Sequence, residues 1–307
     1  MTNRKDRERT VAFYEIVSDK HERMTQIDWP KILAGLFGAP IKDRMVRGRL
    51  RTLVGQVVTY QETDHLLLGK VKDAAEWIEQ VNFEDGSIEQ FNSAENRGLL
   101  ETSVMCFLPY GNIVGMIRGS TSAPGSNALA EWINGIDILE GEVDVRAIVS
   151  KSAMDKIQKA DGAQTMEFRV GTSKAAAVAD ANTRLGRTIH TLRQEYGDAK
   201  ITIIVDVPKD KSYRRAHREL LDDVMQLAAI TDVAENARAK LTYFDATEEA
   251  EAESVNLMQE RITAKRRISS FDAQGQLIRN SSAVGAIMTV AAEVEHALRL
   301  AVDAIDR

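Results

Sequence analysis

Thirteen lysine and arginine side chains, gathered in three short stretches, have the clearest chemistry to offer in this sequence. Lys209, Lys211, Arg214, Arg215 and Arg218 fall within residues 208–218 against a single acid, Asp210. Lys42, Arg44, Arg47, Arg49 and Arg51 fall within residues 42–51 against Asp43, and Lys265, Arg266 and Arg267 are consecutive. Clustered cations neutralise a phosphate backbone and release its counterions without reading base sequence. On a helix beginning near Tyr213, Arg214 and Arg218 share one face with Arg215 beside them. Lys209 and Lys211 then project from a strand-to-helix loop, while Leu220, Leu221, Val224 and Leu227 supply the buried face. The alternative is a solvated helix face whose arginines pair with Glu219, Asp222 or Asp223. Against that, the acids follow the cations rather than interleave with them, and residues 42–51 repeat the pattern.

The chain as a whole is acidic, with 46 Asp and Glu against 40 Lys and Arg, a formal net charge of −6. Local patches set local potential, so this balance leaves a polyanion partner open and argues against a wholly basic, DNA-coating protein. Acid is concentrated in "DATEEAEAE", residues 245–253.

Other chemistries lack their residues. There is no Walker A, G-x-G-x-x-G, G-x-S-x-G or H-E-x-x-H. The five histidines (21, 65, 190, 217, 296) are dispersed, and Cys106 is the only cysteine, so no metal site, intramolecular disulfide or cofactor is expected. Two Gly/Ser loops, 119–127 and 170–175, precede helices and could offer amides to a phosphate; without a full signature they read as loops with N-caps. A metal nuclease needs convergent carboxylates. Asp198-Ala-Lys200 has no paired acid upstream, and Asp222-Asp223 reads as a solvated helix face, so a Mg-dependent nuclease stands as an alternative with no catalytic residue assigned. No recognition helix, zinc finger or RNP motif indicates base reading, and no small-molecule substrate is indicated.

The elements that must position these groups are legible in outline. A length of 307 residues implies about two domains. No apolar run approaches the roughly 18–20 residues of a membrane span, and the N-terminus lacks a signal-peptide pattern, so a reducing cytosol is the expected compartment. Strands are expected at 10–18, 52–60, 65–71, around a Gly-Asn turn at 103–119, and at 142–150, 165–170, 200–207 and 239–246, with at least one more in 254–269. Asp28 and Pro30 mark a helix start, and Ser126 and Gly135 bracket another helix. Further helices are expected at 152–162, 173–197 (one, or two broken at Gly186), 213–230 and, unbroken, 281–306. The order predicts an α+β fold with mixed or antiparallel sheets, and the sequence changes character near Thr172.

In this order the features resemble the RexA-like phage exclusion proteins of lambda-type prophages over most of the chain. The likeness runs through "FYEIVSDKHERMTQIDWPKILAGLF" (13–37), "HLLLGKVKDA" (65–74), "SVMCFLPYGNIVGMIRGSTS" (103–122) and "NALAEWING" (127–135). It continues through "EVDVRAIVS" (142–150), "MEFRVGTSKA" (166–175), "ITIIVDVPKDKSYRRAHRELL" (201–221) and the acid-rich "FDATEEAE" (244–251). The resemblance implies a phage-encoded homodimer that binds double-stranded DNA without sequence preference, has no known catalysis, and acts in superinfection exclusion and, by extension, the lysis–lysogeny decision. It implies a relation to the ring-shaped recombination-associated protein RdgC, a bacterial cytoplasmic location and a membrane partner of the RexB type. It also implies a globular domain from residues 1–171 and 273–307, with a mobile, swivel-type domain at 172–272 inserted between them. The "PKDKSYRR" segment stands where the family has a basic strand-to-helix segment; of "AKLTYFDA" only Lys240 adds a cation. A third reading is an interaction module whose patches meet an acidic protein.

Overall fold

The computed structural model describes residues 6–302 except 21, 49–50, 73–78, 82–87, 91–98, 172–183, 198, 230–233, 245–249 and 273. Strand β1 (Asp6–Ser18) organises the larger sheet, and its residues 11–17 are buried without interruption. A strand reads this way when both faces are covered. On one face Ala12, Tyr14 and Ile16 pack with helices α1 (Trp29–Leu36) and α2 (Ser126–Gly135). On the other, Val11 and Phe13 pack with α6 (Arg279–Glu293) and α7 (Glu295–Ala301). The remaining strands are β2 (Met45–Arg47), β3 (Thr52–Tyr60), β4 (Thr63–Val71), β7 (Leu100–Phe107), β8 (Ile113–Arg118), β9 (Val143–Ala147) and β14 (Thr263–Ser269). Their order is β14-β1-β8-β7-β4-β3-β2, with β9 and β14 following one another along the same side of β1. Two short strands, β5 (Glu79–Val81) and β6 (Ile88–Gln90), form a separate pair.

The smaller sheet runs β11 (Lys200–Asp206), β10 (Gly162–Gly171), β12 (Ala234–Phe244), β13 (Ala250–Asn256). Here the apolar residues alternate. Met166, Phe168 and Val170 of β10 and Ala237, Ala239 and Leu241 of β12 face a core shared with α3 (Lys151–Lys159), α4 (Arg184–Tyr196) and α5 (Arg214–Ala229). Thr165, Glu167 and Arg169 take the opposite face with Arg238 and Lys240, and none of these three helices supplies that side. Both main sheets are antiparallel, and the fold is α+β.

The chain crosses between the sheets twice, side by side. Ser150 N–H donates to Glu260 O at 2.7 Å, Ile262 N–H to Ile148 O at 3.1 Å, and Val149 bridges Arg261. Ser150 also caps α3 through Ala153 N–H and donates its hydroxyl to Glu260 Oε2 at 2.5 Å. The division expected at 171/172 and 272/273 does not follow the sheets: residues 162–171 belong to the smaller sheet, and 263–269 pair with β1 in the larger. Sequence alone conceals this, because the β1–β14 ladder joins segments about 250 residues apart.

Two smaller expectations change, and a third is seen in part. Gly125, not Ser126, is the cap of α2. The C-terminal helix is two helices, parted at Val294, whose φ of −112° and ψ of 14° leave helical geometry. The helix expected at 173–197 is seen as α4; residues 173–183 lie outside the described residues.

Candidate nucleic-acid interface

After β11 the chain turns through Pro208 into a 3₁₀ turn, Lys211–Tyr213, and enters α5. Asp210, the segment's only acid, is spent locally: its Oδ1 accepts the Ser212 N–H at 2.8 Å and its carbonyl accepts from Tyr213 at 3.0 Å. Hydrogen bonds from Ser212 hold its carboxyl below the usual aspartate range. Such an Asx turn is sequence-local, and Asp-x-Ser is its signal.

His217 fixes the turn from below. It is buried, its Nε2 lies 3.0 Å from the Pro208 carbonyl, and its Nδ1 lies 3.5 Å from Thr242 Oγ1 on β12. A Cβ on Gly162 would fall 2.7 Å from His217 Cβ, so α5 lies directly on the start of β10. Loop, helix and sheet are thereby joined at one residue, which by sequence alone is one more surface or core histidine.

On this support Lys209, Arg214, Arg215 and Arg218 are all exposed. Lys209 and Arg218 make no ion pair among the described residues. Arg215 pairs with Glu219 at 2.8 Å but remains 92% exposed. Lys211 lies in the 3₁₀ turn between them. Three arginines in the first five residues of α5, with no acid in its first turn, oppose the helix dipole. Each such opposition costs about 0.3–1 kcal/mol at a surface.

Residues 42–51 are organised differently. Arg44 donates from Nε to Ala39 O at 2.8 Å and from Nη1 to Gly55 O at 3.1 Å, while its own carbonyl accepts from Trp132 Nε1 at 3.0 Å. Trp132 in turn packs on Gly55, where a Cβ would fall 2.1 Å from the indole. Arg51 pairs with Glu131 of α2 at 2.5 Å. These two arginines therefore seat α2 on the sheet. Lys42 and Arg47 are exposed and without an ion pair among the described residues; Arg49 lies outside them.

The third cluster is split by the pleat of β14. Lys265 and Arg267 face one side, where Lys265 pairs with Glu8 at 3.4 Å; Arg266 turns to the other and pairs with Glu293 of α6. Arg267 lies opposite Glu8 in the register and is exposed. The three clusters do not merge. β2 and β14 are opposite edges of the larger sheet, six strand spacings apart, roughly 30 Å at about 4.8 Å per spacing.

The first Gly/Ser loop is occupied by the fold itself. Ser122 and Ser120 donate to Glu101 at 2.6 and 3.1 Å, and Arg118 binds the carbonyls of Thr121 and Ala123. Burial favours the neutral Glu101, yet the hydroxyls of Ser122 and Ser120, with Lys72 and Lys70, hold it below the usual glutamate range. Residues 172–175 of the second loop, and Asp198, lie outside the described residues. Among the described residues no three His, Cys, Asp or Glu side chains converge as metal ligands, and no helix is long and apolar enough to cross a membrane.

No protein-family model matches the chain, and no curated protein matches it in sequence.

Proposed function

We propose that the chain is a sequence-nonspecific double-stranded DNA-binding protein of the phage exclusion type, working as a homodimer in the host cytoplasm. Residues 209–218 are its principal phosphate-contacting surface. One observation supports this most: the segment's acid is turned into its own backbone while Lys209, Arg214, Arg215 and Arg218 stand outward on a braced turn. Arginines at a helix start are unfavourable alone, and a phosphate there satisfies both them and the amides of the first turn. Lys42 and Arg47 on one sheet edge, and Arg267 on the other, are secondary contacts.

The test is a gel-shift titration with unrelated duplexes, repeated across salt and with Mg²⁺. The proposal expects shifts that are indifferent to sequence and weaken steeply with salt, with the DNA intact. No shift at low salt overturns it, and Mg²⁺-dependent nicking replaces it with a nuclease.

A further inference from the structure

Strand β11 is one edge of the smaller sheet, and no described strand pairs with its outer side. Val207 donates its N–H to Gln164 O at 2.8 Å, and the register pairs Thr165 with Asp206 and Gly171 with Lys200. Hydrogen-bonded pairs alternate along an antiparallel ladder. Ile201, Ile203 and Val205 therefore turn their peptide groups to β10, and Lys200, Thr202, Ile204 and Asp206 turn theirs outward.

The edge lacks the usual protection. Between its charged ends "KITIIVD" holds only β-branched residues, without proline, and Ile204 is 64% exposed. Such an edge invites a further strand.

We propose that β11 pairs with β11 of a second copy, antiparallel about a two-fold axis through Ile203. With Ile203 opposite itself, Lys200 meets Asp206 at both ends, Thr202 meets Ile204, and Ile201 meets Val205. Each outward-turned residue meets another outward-turned residue, as the ladder requires. Sliding by two residues keeps the backbone match but parts Lys200 from Asp206, so the charges select the register. Asp206 is already held on the solvent face by Thr165 Oγ1 at 2.8 Å, the face that Lys200 shares. The pairing is isologous and closes at two copies, joining two four-stranded sheets into one of eight. It deepens the homodimer of the proposed function by naming its interface, rests on that part of the reading alone, and does not depend on DNA binding.

Sedimentation of the full chain without DNA tests the proposal, with far-UV circular dichroism confirming that each variant is folded. The wild type is expected to be dimeric. Lys200→Glu and Asp206→Lys, each alone, set like charges at both ends and weaken the dimer about tenfold or more. The double reversal restores it. Ile203→Cys gives a disulfide-linked dimer on oxidation, because opposed residues in a non-hydrogen-bonded pair have Cα atoms about 4.5 Å apart; native Cys106 is buried and does not compete. A monomeric wild type overturns the proposal. So do a dimer indifferent to the single reversals, a folded double reversal that stays dissociated, and an Ile203→Cys variant that does not cross-link.

Discussion

Residues 42–51 and 209–218 are equals in charge, five cations and one acid each, and opposites in use. In the first, Arg44 and Arg51 are held between the sheet and α2 by one carboxylate and two carbonyl oxygens, and the Arg44 carbonyl accepts from the Trp132 indole N–H. In the second, the histidine points inward and the acid, itself exposed, accepts a hydrogen bond from its own turn, while Lys209, Arg214, Arg215 and Arg218 stand outward. Counting charge therefore overstates the first segment as a surface and describes the second fairly. An arginine held half-buried by partners in the fold, as Arg44 and Arg51 are, cannot serve a ligand without a structural cost, whereas Arg215, though paired with Glu219, stays exposed.

Substitutions can break or sharpen this contrast. The largest effect is expected from Lys209→Ala, Arg214→Ala and Arg218→Ala together. Removing three phosphate-neutralising cations weakens binding to every duplex about a hundredfold near 0.15 M salt, with Tm nearly unchanged. Fluorescence anisotropy against two unrelated duplexes reads it, and equal affinity before and after would move the interface elsewhere. Arg44→Ala should act the other way. It strips charged donors from Ala39 O and Gly55 O, so stability falls by about 2 kcal/mol in urea unfolding, while the DNA affinity of the folded fraction holds. Arg51→Ala removes a partly exposed pair with Glu131 and should cost about 0–1 kcal/mol. Smallest is Arg215→Ala, whose pair with Glu219 is open to solvent; unfolding should shift by no more than about 0.5 kcal/mol.

Much of the larger sheet was legible because its signals are local. The hairpin β3–β4 lies where the apolar runs place it, with Gln61 and Glu62 at φ of 51° and 63° making the two-residue turn. Asp28 caps α1 through the Lys31 N–H as its residue type suggests. The use of the basic clusters was not legible. Arg51 finds Glu131 eighty positions away, and Arg266 finds Glu293 only because β14 lies beneath α6. Likewise Lys265, Arg266 and Arg267 read as one patch along the chain, but a strand sends alternate side chains to opposite faces. His217 was visible beside the cations, whereas its role depends on Gly162 and Thr242 on other strands.

The proposal that outward cations at 209–218, rather than total basic charge, carry DNA binding is tested most directly by the slope of log K against log salt. Wild type, Lys209→Ala/Arg218→Ala and Lys42→Ala/Arg47→Ala are the three proteins to compare. The expected slope is shallower by about 2 for the first double variant, roughly one for each phosphate no longer neutralised, and little changed for the second. A slope unchanged by the first and flattened by the second would contradict it.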